Sequence, residues 1–102
     1  MTLAKKDGPI VPFIAETGSL NGMFVDTTAL KEQVVDDVIA SAFGSAGQRC
    51  SALRLLFLPN EVADAYIETL KGAMDMLIIG DPADFTTDTG PVIDADALEL
   101  LQ

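Results

Sequence analysis

Cys50 is the only cysteine in this sequence, and its neighbours suit a nucleophilic thiol. Gly44, Ser45, Ala46 and Gly47 are small and leave room beside the sulfur, while Arg49 offers positive charge that would favour the thiolate. Glu16 is a second candidate. It follows an apolar run and opens a glycine-bearing loop, a place from which a carboxylate can act as general base. Each has a plainer alternative. A lone cysteine is more often an inert small hydrophobe, and Glu16 is one of sixteen acidic residues. A redox-sensing thiol is a third use for Cys50 in such surroundings.

The elements that must position these residues can be read from periodicity. Residues 10–15 are β-branched and aromatic and read as a strand, with Pro12 removing one ladder donor. A loop over 16–22 leads to a second short strand over 23–26, and Asp26, Thr27 or Thr28 can cap the next helix. Leu30, Val34, Val35, Val38, Ala42 and Phe43 recur at helical spacing, so a helix over 30–43 delivers the chain to the cysteine loop. Residues 53–58 read as a buried strand ended by Pro59. Asn60 then caps a helix to about residue 77, with Val62, Tyr66, Leu70, Ala73, Met74 and Leu77 along one stripe. A turn-rich loop runs from residue 78 through Gly90 and Pro91, and Asp94 caps a last helix over 95–101.

The resulting class is α/β, in the order β-β-α-β-α-α, with too few strands to complete a doubly wound sheet. A final amphipathic turn and a first strand without neighbours read as a piece of a larger protein, one whose bared apolar face predicts self-association.

Composition excludes several functions. Six basic residues against sixteen acidic ones give a net charge of −10, which repels phosphate backbones and anionic membranes, so neither is an expected partner. One cysteine rules out an intrachain disulfide framework and fits a cytoplasmic location; with no histidine, a zinc site or Cys-His couple built from this chain is not expected. No apolar run reaches the roughly 18 residues of a membrane span. Gly44-Ser45-Ala46-Gly47 matches a GxxG loop, but the charge favours close packing beside Cys50 over a nucleic-acid clamp. Gly18 and Gly22 spell GxxxG without an apolar helix around them. Asp81, Asp84, Asp88, Asp94 and Asp96 fail the calcium-loop spacing and read as turn and cap residues, so no metal is expected. No complete dinucleotide or nucleotide loop is encoded.

Two motifs together carry a resemblance. Phe43-Gly44-Ser45-Ala46-Gly47-Gln48-Arg49-Cys50-Ser51-Ala52-Leu53-Arg54 resembles the cysteine signature of the aldehyde dehydrogenase superfamily, and Ala15-Glu16-Thr17-Gly18 its glutamate signature. Their separation of 34 residues is the one that superfamily shows. The glutamate motif departs from it at Ser19, where a second glycine is usual, and at Gly22, where a larger residue is usual. The likeness continues through Leu55-Leu56-Phe57-Leu58, Ile79-Gly80-Asp81-Pro82 and Thr89-Gly90-Pro91, and so covers essentially the whole chain. Within the superfamily it is most similar to the L-glutamate γ-semialdehyde (pyrroline-5-carboxylate) dehydrogenase module of bifunctional bacterial proline-utilisation proteins.

The resemblance implies a partial aldehyde dehydrogenase catalytic domain. Its segments would be the glutamate-base strand and loop (10–22), the cysteine helix-loop (30–52), a strand-helix pair (53–79), and a loop with a cut-off helix (80–102). It implies that Cys50 attacks an aldehyde to give a thiohemiacetal that passes hydride to NAD, and that Glu16 activates the water that hydrolyses the thioester. The Cys50 N–H would supply half of an oxyanion hole, and Ser51 would hold the substrate carboxylate or serve as a capping hydroxyl. Most of the NAD site would lie outside this chain, and the parent would be a homo-oligomer. The 102 residues alone would then lack useful dehydrogenase activity. The alternatives are a non-catalytic module that acts in association, or a different aldehyde substrate.

Overall fold

Val35 and Val38 lie one helical turn apart and are both about 95% buried, which sets the inner face of α1 (Lys31–Phe43). Glu32, Asp36 and Asp37 are exposed. The computed structural model describes Gly8 and residues 12–102. In it, α1 is the crossover that two parallel strands require, joining β1 (Asn21–Phe24) to β2 (Leu53–Phe57). The register pairs Asn21 with Leu53, Gly22 with Leu55, Met23 with Leu56 and Phe24 with Phe57, with an irregularity between Asn21 and Gly22. The Val25 N–H closes the ladder on the Phe57 carbonyl at 3.0 Å.

The fold is therefore mixed α/β, built on a two-stranded parallel sheet and continuing through α2 (Ala63–Asp75) and α3 (Ala95–Leu101). Its core is small: Val35, Val38, Ala52, Leu53 and Tyr66. The Tyr66 hydroxyl donates to the Ala29 carbonyl at 3.1 Å, tying α2 to the entrance of α1. Phe24 and Phe57 stack with ring centroids 4.4 Å apart. Gly22 matters here, because a Cβ at that position would lie 3.1 Å from the Phe57 ring. No helix among the described residues is long and apolar enough to cross a membrane.

Several sequence expectations shift. Of the strand expected over 10–15, residues 10 and 11 lie outside the described residues, and 12–15 are exposed and in no strand. Pro12 lacks a ladder donor, and among the described residues no strand pairs with it. The next strand begins two residues early, at Asn21, because pairing to β2 rather than local propensity sets its start. Asp26 does not cap α1. Its carboxylate accepts from the Thr28 N–H and hydroxyl, forming a turn ahead of Leu30, which precedes the helix without a side-chain cap.

Asn60 likewise leaves α2 uncapped. A turn in which the Val62 N–H donates to the Pro59 carbonyl delays the helix to Ala63. At the far end, Met76 and Leu77 form i→i−3 turns rather than helix. β2 is buried only at Leu53 and Ala52 before it, while Leu55 and Phe57 are nearly half exposed, since nothing among the described residues covers that stretch of the sheet. α3 has the expected bounds, and the Asp94 carboxylate caps it by accepting from the Ala97 N–H at 2.8 Å.

Candidate active site

The cysteine loop begins where α1 ends. Ser45, Ala46 and Gly47 have φ of 55°, 54° and 67°, three successive residues in the left-handed region, so the Gly44–Gly47 segment reverses the chain sharply. Gly47 is required there on two grounds: its positive φ, and the Ala42 carbonyl oxygen, which would stand 2.8 Å from an added Cβ. The reversal carries Gln48, Arg49 and Cys50 back across the end of α1. A turn in which the Ala52 N–H donates to the Arg49 carbonyl at 3.0 Å then presents Cys50 and Ser51, both exposed, before the chain enters β2.

The two arginines of this region hold backbone in place. Arg49 donates through Nη2 to the Ala40 carbonyl at 3.0 Å, a second donor there beside the Gly44 N–H, and more weakly toward the Ser41 carbonyl in the last turn of α1. Its guanidinium is engaged at the helix end, which differs from the expectation of charge directed at Cys50. Arg54 donates to the carbonyls of Gly47 and Leu53 and so braces the left-handed turn against β2. Gln48 accepts from the Ile93 N–H at 3.0 Å, and Thr89 donates to the Phe43 carbonyl at 3.3 Å, anchoring the long loop beside the cysteine turn.

Glu16 sits on the exposed irregular segment that precedes β1. Its neighbours Thr17, Gly18 and Ser19 face Ala46, Gly47 and Gln48 across an open cleft of about 420 Å³, which Leu100 and Leu101 of α3 also line. The fold thus brings the flanks of the glutamate loop and of the cysteine loop to one cleft. Ser51 lines a different, shallower depression, with Asp37, Ala40, Ser41 and Arg49. Glu16 and Cys50 themselves line neither concavity; the cleft is lined by their sequence neighbours, and Ser51 lies on the separate depression.

One polar residue that sequence reasoning does not single out joins the loops directly. The Asn21 carboxamide donates to the Cys50 carbonyl at 2.7 Å and to the Ala52 carbonyl at 3.0 Å, and accepts from the Ser19 hydroxyl at 2.8 Å. The signal in the sequence is an asparagine between a glycine-bearing loop and an apolar strand, which by pattern belongs to the loop alone.

The acidic residues of the long loop are occupied with turns. Asp81 accepts from the Ala83 N–H, Asp84 from the Thr86 N–H and hydroxyl, and Asp88 from the Ile78 N–H. Hydrogen bonding to the Thr86 backbone and then to its hydroxyl holds the Asp84 carboxyl below its usual value, and Thr28 does the same for Asp26.

Comparison with known proteins places this arrangement. The family model described as the aldehyde dehydrogenase family matches residues 1–102. The chain is 59% identical over 95 residues to the bifunctional protein PutA of Klebsiella aerogenes, covering 93% of this chain and 7% of that protein. It is 40% identical over 84 residues to a 1-pyrroline-5-carboxylate dehydrogenase of Geobacillus sp. (strain WCH70), covering 82% of this chain and 16% of that one. A crystal structure of a proline utilization A variant from Bradyrhizobium japonicum superposes with a TM-score of 0.86 at 63% identity, covering 97% of this chain and 10% of that one. The chain thus spans only a small part of the length of the proteins it matches.

Proposed function

The chain belongs to the aldehyde dehydrogenase family, and on that premise we propose that it is the nucleophile-and-base segment of an enzyme oxidising L-glutamate γ-semialdehyde to glutamate in proline catabolism. The observation that carries the reading is the cleft between the flanks of Glu16 and Cys50, which gives a substrate a place between a thiol loop and a carboxylate loop. The substrate class is supported by the likeness to PutA and to a 1-pyrroline-5-carboxylate dehydrogenase.

In this reading the Cys50 sulfur adds to the aldehyde carbon, forming a carbon–sulfur bond while the carbonyl oxygen takes up charge. The Cys50 N–H faces that oxygen. Oxidation of the adduct to a thioester needs a hydride acceptor of the nicotinamide class, NAD in this reading. The described residues do not cradle one: the guanidinium groups of Arg49 and Arg54 are engaged by main-chain carbonyls, the Gly44–Gly47 turn leads into the cysteine loop, and the Gly18 loop leads into β1, so neither glycine-bearing turn opens a helix N-terminus. The acceptor is then held by parts of the protein other than these. Glu16, exposed and next to the cleft-lining Thr17, is assigned the proton of the water that attacks the thioester carbon, and the Cys50 thiolate leaves. Ser51, exposed beside the nucleophile, is assigned to the substrate carboxylate, which would then extend from the cleft past Arg49, the residue common to both concavities, to the depression that Ser51 lines. The parent protein is read as a cytoplasmic homo-oligomer; the exposed Phe24, Phe57, Leu100 and Leu101 support only the weaker statement that further protein surface covers this face.

The test is NADH formation from L-glutamate γ-semialdehyde by the full-length protein. Cys50→Ala is expected to abolish it. Glu16→Gln is expected to leave a single burst of NADH and to lower steady turnover about 10²–10⁴-fold, the usual worth of a general base. Unchanged turnover in Glu16→Gln would remove Glu16 from the mechanism.

A further inference from the structure

We propose that Asn21 is a positioning residue for the nucleophile, an inference that rests on the dehydrogenase reading of Cys50. Asn21 opens β1 and is partly buried, 29 residues from Cys50 in sequence. Its Nδ2 has two hydrogens, and both are engaged, one by the Cys50 carbonyl at 2.7 Å and one by the Ala52 carbonyl at 3.0 Å. These two acceptors bracket Ser51, so a single side chain fixes the peptide plane that leaves Cys50 and the one that enters β2.

The chemistry of the group determines its orientation. With the amide turned over, Oδ1 would face two carbonyl oxygens, an arrangement with no donor between them. The Ser19 hydroxyl, which donates to Oδ1 at 2.8 Å, holds the amide the right way round and ties it to the loop that bears Glu16. Ser19 stands where the family's glutamate signature usually has glycine, so this chain adds a brace of its own.

Cys50 is exposed, and its left-handed approach through Ser45, Ala46 and Gly47 makes no ladder bonds. Its main chain therefore depends on few contacts. The Arg49–Ala52 turn and Asn21 supply them, and among the described residues the Asn21 side chain links that turn to the base-bearing loop. The Arg49 carbonyl, held by the Ala52 N–H, shares a peptide plane with the Cys50 N–H, and the Cys50 carbonyl is held by Asn21. The planes on both sides of Cys50 are thus fixed, and with them the direction of its N–H and side chain, the two features the proposed reaction uses.

Asn21→Asp tests this in the full-length protein, because it keeps shape while replacing the donor by an acceptor that the two carbonyls repel. Asn21→Ala, which removes the donors without adding charge, covers the case of a variant that fails to fold. The expected result is kcat about 10–100-fold lower with KM within about 3-fold, as for misplacement of reacting groups by about an ångström. Alkylation of Cys50 by iodoacetamide, which needs no aimed geometry, should stay within about 3-fold of the unsubstituted rate. Amide exchange at Ala52 should quicken about 10-fold or more as its turn opens. Turnover within 2-fold, alkylation that falls in step with turnover, or unchanged exchange at Ala52 would each overturn the assignment. If the unsubstituted protein makes no NADH from the semialdehyde, the dehydrogenase reading fails by itself. Exchange at Ala52 in the two variants still decides whether Asn21 holds the turn.

Discussion

Gly47→Ala and Gly72→Ala are the same chemical change and should move stability in opposite directions. Gly72 lies within α2, is exposed, and has nothing within 4 Å of where a Cβ would stand. Alanine there restricts the unfolded chain and favours helix, for a gain of about 0.5–1 kcal/mol. Gly47 has φ of +67°, and an alanine Cβ would stand 2.8 Å from the Ala42 carbonyl oxygen. The left-handed conformation costs an alanine about 1–2 kcal/mol. The collision is with backbone, which cannot swing aside as a side chain does, and relieving it costs about 1–3 kcal/mol more. The Arg54 guanidinium, 3.3 Å from the same Cβ, can move and adds little. The expected loss is then about 2–5 kcal/mol, from 1–2 for conformation and 1–3 for crowding. Urea unfolding followed by far-ultraviolet circular dichroism and by Tyr66 emission reads both variants, since the chain has one tyrosine and no tryptophan. A Gly47→Ala variant within about 0.5 kcal/mol of the parent, the ordinary range for an innocuous surface change, would refute the reasoning. It would mean that the left-handed turn is not needed by the folded state.

Two further outcomes rest on single contacts. Tyr66→Phe keeps the buried ring and removes only the donor to the Ala29 carbonyl, so unfolding should become easier by about 0.5–1.5 kcal/mol; no change in the urea midpoint would mean that water replaces the hydroxyl without loss. Asp84 and Asp26 have carboxyls held below their usual value by Thr86 and Thr28, so whatever their turns contribute is fully present above about pH 3.9 and is lost as pH falls through the lower folded values. The Thr86 and Thr28 amide resonances should report this in a nuclear magnetic resonance titration. A midpoint at or above about 3.9 for either would show that its turn does not favour the ionised form.

The sequence by itself determined the local features whose causes are local. The apolar spacing of Val35 and Val38 makes α1, and Asp94 three residues before Ala97 makes the cap of α3. The family was legible as well. The motifs around Cys50 and Glu16 carry the resemblance as residue types and as a 34-residue interval, features that need no tertiary structure to be read. What the sequence did not disclose depends on partners distant in the chain. The start of β1 at Asn21 is set by pairing with β2, and the late start of α2 by the turn at Pro59. Arg49 reads in sequence as charge beside a thiol, but in the fold its guanidinium donates to the Ala40 carbonyl in the last turn of α1. Asn21 reads as one more polar loop residue, and only the approach of β1 to β2 brings its amide within reach of the Cys50 and Ala52 carbonyls. Side-chain hydrogen bonds carry no periodicity, so tertiary structure alone decides which of many polar groups meets which carbonyl.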